Sequence, residues 1–364
     1  MLFRSPRTGA VRQLALGTGM TAEDDLIKRV SRVVRTAEGV RRRGRAKLRL
    51  GIGDDAAVLA CGRDSELVLS CDTTLEGIHF LADRHPADSV GYKALARATS
   101  DLAAMGATPG WFLLTLALPQ SRTGKWLDRF LRGIARAARD FRMVLAGGDT
   151  TRSRAVFISI TVIGEMAPGR AVKRAGAKPG DGLYVSGVLG AAELGLRMVR
   201  NRSISSHLKP LTSRFSPLKR HLYPQIRLEL GAWLARNRIA SAMMDISDGL
   251  STDLARLCAA SGVGARVEAD RLPRVEISAA QSRKSAALMA QVKFDPLELA
   301  LHGGEDYELL FAVPPKTEKR LRQAPGFHEL RRIGEIVRGP SVVLVTTDGA
   351  ARPLPRRGWD SFRK

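Results

Sequence analysis

Seven aspartates recur in one sequence context, a short apolar run followed by a carboxylate among small residues. Asp54 and Asp55 stand in GIGDDAAVL, Asp72 in LVLSCDTT, Asp101 in ATSDLAAMG and Asp149 in LAGGDTTRS. Asp245 and Asp248 follow in MMDISDGLS. All lie near Gly, Ser or Thr, where a loop can bring backbone close to a ligand. Taken singly, each has an ordinary reading in a turn or a helix cap. Their recurrence favours one divalent-metal cluster, because hard oxygen donors suit Mg²⁺ and Mg²⁺ suits phosphates. Gly147 and Gly148 before Asp149 would permit close approach to an anion. Asp245 and Asp248, spaced i and i+3 around Ser247, can face one site or cap the helix that follows. HGGEDYELL at 302–310 adds Glu305 and Asp306 on a double-glycine turn that opens an apolar strand.

Other nucleotide machinery is missing from the sequence. Gly124-Lys125 lacks the upstream glycine and the following Ser/Thr of a P-loop, and GIGDD is not a dinucleotide-binding glycine pattern. No kinase HRD or DFG pair occurs. Three cysteines far apart, Cys61, Cys71 and Cys258, argue against zinc or a disulfide framework and fit a reducing, cytoplasmic setting. The 364 residues carry 59 Lys+Arg against 36 Asp+Glu, a net charge of +23, which raises nucleic acid as a partner. Much of that excess sits in 1–14, 41–49, 197–220, 319–332 and 352–364, with little aromatic interleaving. Aromatic content of 5% supports no stacking platform, so the charge reads as a solvated surface without specific nucleic-acid recognition. No apolar run approaches the roughly 20 residues that span a bilayer.

The elements that must position these carboxylates follow from periodicity. Residues 1–19 read as a disordered basic extension, and Met20 opens a better beginning. Thr21 and Asp24 have capping-box spacing ahead of a helix carrying Leu26, Ile27, Val30, Val33 and Val34. Strands are expected around 50–60 and 67–71, a helix from ADSVGYKALARATSDLAAMG to Gly106, and a strand in WFLLTLAL. An Arg-rich amphipathic helix over 124–141, a strand in MVLAGGD ending in a glycine turn, and a β-branched strand at 156–165 follow. From about 166 the register changes. Helices near 190–200 and 225–236 flank a polar Ser/Lys/Pro linker. ASAMMDISDGL reads as strand then turn, LSTDLARLCAASG as a helix and GARVEA as a strand. A helix-rich stretch, the HGGEDYELLF strand, a further helix and strands at 332–337 and 341–346 complete an α/β to α+β chain. The domains are then 20–165, binding metal and ATP, and 166–364.

In their order, GIGDDAAVL, DTTLEGIHF, YKALARATSDLAAMGATP, GGDTTR, DISDGLSTDL and GGEDYELLF resemble the motifs of the thiamine-monophosphate kinase family. That family belongs to the superfamily of aminoimidazole ribonucleotide synthetase. The resemblance runs from about residue 24 to 362, and GIHF with GGEDYEL points to the thiamine kinase rather than to its superfamily neighbours. It implies a two-domain α/β fold whose N-terminal sheet pairs with that of a second subunit in a homodimer. It also implies transfer of the ATP γ-phosphoryl group to thiamine phosphate. By its pattern Asp55, Ser70, Cys71, Asp72, Asp101, Asp149, Asp245 and Asp248 would hold several Mg²⁺ ions, with Asp72, Asp149 and Asp248 central to catalysis. Gly148, Asp149, Arg174 and Ser247 would hold ATP, and His79, Glu305 and Trp359 would meet thiamine phosphate. Cys71 departs from the usual Thr, which matters only if a side-chain hydroxyl is the ligand, since a thiol suits a hard ion poorly. The alternatives are another phosphotransferase of the superfamily, or a basic polyanion-binding protein that keeps the fold. Clustered carboxylates favour the enzyme, because a binder of polyanions gains nothing from them.

Overall fold

A computed structural model describes residues 47–51, 53–61, 64–201, 216–276 and 295–362. The tail 1–19, the helix expected over 26–34 and most of the basic segment 36–48 lie outside the described residues. So do 202–215 of the polar linker and 277–294 of the helix-rich stretch. Arg42–Trp359 form one compact unit.

The first sheet contains β1 (Lys47–Leu50), β2 (Ala57–Ala60), β3 (Glu66–Leu75), β4 (Thr108–Leu118), β5 (Val144–Arg152) and β6 (Phe157–Met166). Its order is β1-β2-β3-β6-β4-β5, antiparallel except for the β4–β5 pair. Alternation along β6 shows why this sheet has two unlike faces. Ile158, Ile160 and Val162 point into the core, while Phe157, Ser159, Thr161 and Ile163 on the other face stay partly exposed. The inner face is covered by α1 (Ala87–Met105) and α2 (Lys125–Asp140).

The second sheet contains β7 (Gly182–Val185), β8 (Ala242–Ile246), β9 (Gly264–Glu268), β10 (Glu308–Val313), β11 (Arg331–Val337), β12 (Val342–Val345) and β13 (Ala351–Pro353). Its order is β13-β12-β9-β11-β7-β10-β8, with β12–β9 its one parallel pair. Helices α3 (Ala191–Arg200), α4 (Pro217–Leu222), α5 (Leu228–Arg236), α6 (Leu250–Ser261) and α7 (Pro296–His302) complete the chain among the described residues, with a short α8 (Pro315–Glu318).

Helix α1 joins the two sheets. Leu95, Leu102 and Met105 pack in the first core, whereas Ala103 and Ala104 join Leu234, Met243 and Phe311 in a cluster on the second sheet. A helix buried on nearly every side must be small at its crossings. A Cβ on Gly91 would lie 2.2 Å from the Phe130 carbonyl oxygen of α2, and one on Gly133 of α2 would lie 1.9 Å from that of Asp88. On the opposite side, a Cβ on Gly231 of α5 would lie 2.1 Å from the Ala103 carbonyl oxygen. Gly106 ends α1 in the left-handed conformation at φ +76°, with its N–H and that of Ala107 bonded back to Ala103 and Leu102.

Three expectations change. The strand expected around 50–60 is two strands hinged at the GIGDD turn, and β3 extends through Asp72 to Leu75. Strand β5 does not stop at its glycines but runs on to Arg152, pairing Gly148 with Leu114 and Asp149 with Thr115. A Cβ on Gly148 would lie 1.9 Å from the Leu114 carbonyl oxygen, so this glycine permits close strand packing. Because α1 is held by backbone-to-glycine contacts on both flanks, Gly91→Ala should overpack the α1–α2 crossing. We expect a loss of about 1–3 kcal/mol, read from denaturant unfolding midpoints at unchanged m-value.

Candidate functional site

The fold brings three of the seven aspartates together. Asp55 comes from the turn between β1 and β2, Asp101 from α1 and Asp245 from β8. One carboxylate oxygen of each lies within 4.8 Å of the others. Two serines orient them: Ser70 donates to Asp101, and Ser100 donates to Asp245 at 2.6 Å. Burial and the charges of Asp55 and Asp248 push the Asp245 carboxyl up to about 7. Burial, then Asp245, Asp55 and Asp72, push Asp101 well above the usual carboxylate range. Partial burial and the charge of neighbouring Asp55 raise Asp54 to about 6. Such a crowded set of hard donors fits a divalent cation.

Arginines complete the surroundings. The guanidinium of Arg174 grips Asp55 at 2.8 and 3.2 Å, and its backbone N–H donates to Asp54. Arg97 on α1 holds both oxygens of Asp72 at 3.0 and 3.1 Å. Arg256 on α6 pairs with Asp248 and, at 3.1 Å, with Asp253. Asp253 accepts the N–H groups of Asp248 and Gly249 at 3.0 Å, so it is Asp253 that supports the turn ahead of α6, and neither Asp245 nor Asp248 caps that helix. Asp149 lies exposed on the edge strand β5, its carboxylate accepting the Thr150 N–H at 2.9 Å. Asp72, Asp149 and Asp248 are thus outside the close trio. Strand alternation puts Ser70 and Asp72 on the inner face of β3 and the Cys71 thiol on the outer face, 3.4 Å from Ser159 Oγ.

Beyond Asp72 a narrow pocket is lined by His79, Phe80, His85, Lys93, Arg97 and Leu222, among others. His79 Nδ1 accepts the Leu75 N–H at 3.0 Å, which leaves the ring proton on Nε2. Burial, helped by Arg97, lowers this imidazole to about 4, so it is neutral. Behind the pocket, Lys93 Nζ donates to Glu305 Oε2 at 2.5 Å and His221 Nδ1 lies 3.2 Å from the same oxygen. Burial opposes the charge on Glu305, yet Lys93, His221 and Arg97 hold its carboxyl well below the usual range. Glu305 and Tyr307 take left-handed φ of +66° and +50°, held by N–H bonds to the Ser247 and Ile246 carbonyls. The Trp359 backbone N–H donates to the Asp248 carbonyl at 2.8 Å, and the residue is 46% exposed.

Sequence reasoning missed Lys93, Arg97, Ser100, Arg256 and His221. Four of these had a local signal: Lys93, Arg97 and Ser100 share a helical face with Asp101, and Arg256 follows Asp253 at i+3. His221 had none, since it meets Glu305 only through the tertiary fold.

The electrostatics predict a linked response to pH and metal. The folded Asp245 pKa of about 7 exceeds its ordinary 3.8, so the folded state holds extra protons between those values. Its contribution to stability is full below the ordinary value and is lost as pH rises through about 7. Mg²⁺ should replace those protons. We expect 10 mM Mg²⁺ to raise the thermal midpoint by about 3 °C at pH 7.5 and by far less at pH 5. Asp101→Asn should raise the metal-free midpoint at pH 7.5 and remove most of the Mg²⁺ response; differential scanning fluorimetry checks both.

Comparison with known proteins places this geometry. Residues 53–166 match the AIR synthase related protein N-terminal domain, and 178–346 match the corresponding C-terminal domain. The chain is 42% identical over 327 residues to the thiamine-monophosphate kinase of Salmonella typhimurium, covering 88% of this chain and 94% of that protein. It is 38% identical over 323 residues to that of Escherichia coli K12, with the same coverages. A solved structure of AaThiL complexed with AMPPCP and TMP superimposes with a TM-score of 0.73 at 29% identity, covering 96% of this chain and all of that one. The thiamine-monophosphate kinase from Stenotrophomonas maltophilia gives 0.67 at 36% identity, covering 91% and 98%. With this identity over nearly its whole described length, the two-sheet fold and the aspartate motifs in order, the chain belongs to the thiamine-monophosphate kinase family.

Proposed function

We propose that this protein is a cytoplasmic kinase that transfers the γ-phosphoryl group of ATP to thiamine phosphate, giving thiamine diphosphate. The observation that carries this reading is the Asp55–Asp101–Asp245 trio, adjoining a separate pocket through the Asp72–Arg97 pair. The relative bound to AMPPCP and TMP supports ATP and thiamine phosphate as the two substrates.

Asp55, Asp101 and Asp245 would hold Mg²⁺, joined by Ser70, Asp72, Asp149, Asp248 and the Cys71 backbone carbonyl, whose thiol faces away. Bound Mg²⁺ neutralises two polyanions and aligns the transfer. Gly148, Asp149, Arg174 and Ser247 would position ATP, while His79, Glu305 and Trp359 would position the acceptor. The neutral His79 offers an Nε2–H donor, and ionised Glu305 offers a negative charge to a cationic thiazolium. No general base is required, because a phosphate monoester is largely ionised near neutrality with a second pKa of about 6. Transfer is therefore direct and in line, with no phosphorylated enzyme.

Purified protein with ATP, Mg²⁺ and thiamine phosphate should yield thiamine diphosphate. Labelled ATP alone should leave the protein unlabelled. Trp359→Ala should raise KM for thiamine phosphate about tenfold and leave that for ATP within twofold, since ring-on-cation stacking contributes about 0.5–2 kcal/mol. An acceptor-dischargeable label on the protein would overturn direct transfer.

We also propose that the open face of the first sheet pairs two copies of the chain. Trp111, Leu113 and Val144 are exposed there, at 38–61%. An apolar surface of this kind on an uncovered sheet supports a partner. Sedimentation should show a dimer, and Trp111→Glu with Leu113→Glu should shift it to monomer.

A further inference from the structure

Three buried polar side chains at the pocket, His85, His221 and Lys93, have no part in the chemistry above, and the hydrogen bonds that link them to Glu305 run in one direction. His85 Nδ1 accepts the Leu81 N–H at 3.0 Å. The Leu81 carbonyl, 3.2 Å from the same nitrogen, already accepts the N–H groups of Arg84 and His85 at 3.0 and 2.8 Å. The lone pair of His85 is therefore on Nδ1 and its proton on Nε2. That proton points at His221 Nε2, 3.0 Å away, which must accept it. A neutral His221 then carries its own proton on Nδ1, facing Glu305 Oε2 at 3.2 Å. Lys93 Nζ donates to that same oxygen at 2.5 Å, which explains why it sits only 3.3 Å from His221 Nδ1: two donors converge on one acceptor. Burial lowers both imidazoles, His85 to about 4, which favours the neutral rings that this sequence of donors requires.

We infer that Leu81, His85 and His221 form a relay of fixed tautomers that, with Lys93, aims the Glu305 carboxylate at the acceptor, and that His221 is a positioning residue for acceptor recognition. Lys93 alone would satisfy the charge of Glu305 but leave its carboxylate free to pivot about a single ammonium. The His221 N–H supplies the second direction. The ring of His221 is wholly buried, and α4, which carries it, packs on α3 and α1. The relay therefore transmits position from the 81–85 turn to a side chain on the far HGGEDYE loop. This inference rests on the reading of Glu305 as an acceptor contact.

The two can be tested separately. Long-range ¹⁵N–¹H spectra of histidine-labelled protein should show His85 protonated on Nε2 and His221 on Nδ1. The opposite tautomers, or a charged His221 at pH 7.5, would overturn the relay whatever the substrate. For function, His221→Phe keeps the ring volume and removes the donor, whereas His221→Asn keeps an N–H near the Nδ1 position. We expect His221→Phe to raise KM for thiamine phosphate about tenfold with KM for ATP within twofold, and His221→Asn to recover most of that loss. Equal rises in both KM values, no rise, or an Asn variant as impaired as Phe would overturn the positioning role. If His221→Phe does not fold, His85→Gln against His85→Leu makes the same comparison one step back, since Gln can still donate from the Nε2 position. A wild-type protein that neither binds nor converts thiamine phosphate would defeat the acceptor reading, and the spectra would still decide the relay.

Discussion

The mutual repulsion of Asp55, Asp101 and Asp245 is the constraint that the surrounding structure must satisfy. At an effective dielectric constant of 20, two unit charges about 4.8 Å apart repel by about 3.5 kcal/mol, and three carboxylates make three such pairs. Nothing local in the sequence holds them together, for each belongs to a different element. They stay close because α1 is wedged between two sheets by backbone contacts at Gly91, Gly133 and Gly231, positions where no side chain fits. Stability placed in that helix holds the carboxylates close, and the Arg174 grip on Asp55 together with the raised Asp101 and Asp245 carboxyls offsets their repulsion.

Arginine divides the remaining carboxylates by role. Asp72 and Asp248 each face a guanidinium, from Arg97 and Arg256, whereas Asp149 stands open on an edge strand. Arg174 adds a bidentate grip on Asp55 from the segment that leads into the second sheet. The basic excess of this chain is therefore not confined to a solvated surface. Part of it lies at the acidic centre, where it offsets charge and, in Arg97, forms the wall between the trio and the pocket.

How much of this was legible follows the range of the interactions. Helix α1, strand β6 and the DISDGL turn are written in local periodicity and turn chemistry, and the sequence reading places them within a residue or two. The acidic motifs could be gathered from their repeated context. What the sequence could not disclose is pairing at long separation: Lys93 with Glu305, or His85 with His221, which is 136 positions away along the chain. The glycines of LAGGDT show the converse. They read as the end of a strand because glycine is common in turns, yet β5 runs on through them, and Gly148 is needed where it closes on the backbone of β4.

The HGGEDYEL stretch shows why a motif resists reading even when its residues are conspicuous. Four acidic or aromatic side chains in succession face four environments. Glu305 turns to Lys93 and His221; Asp306 accepts the Gly190 and Ala192 N–H groups at 2.7 and 3.2 Å, at the start of α3. Tyr307 is buried, and Glu308 is held by Ser186 at 2.5 Å and by Arg227 at 2.6 and 2.9 Å. Regular strand geometry would send Glu305 and Tyr307 to one side and Asp306 and Glu308 to the other. The left-handed φ of Glu305 and Tyr307 breaks that alternation and frees each side chain to reach its own partner. Such a backbone is costly for residues with a Cβ. It persists because Asp306 and Glu308 anchor the loop on either side of Tyr307, to the start of α3 and to Arg227, so the residues that look like a ligand set are in part the clamp that holds Glu305 in place.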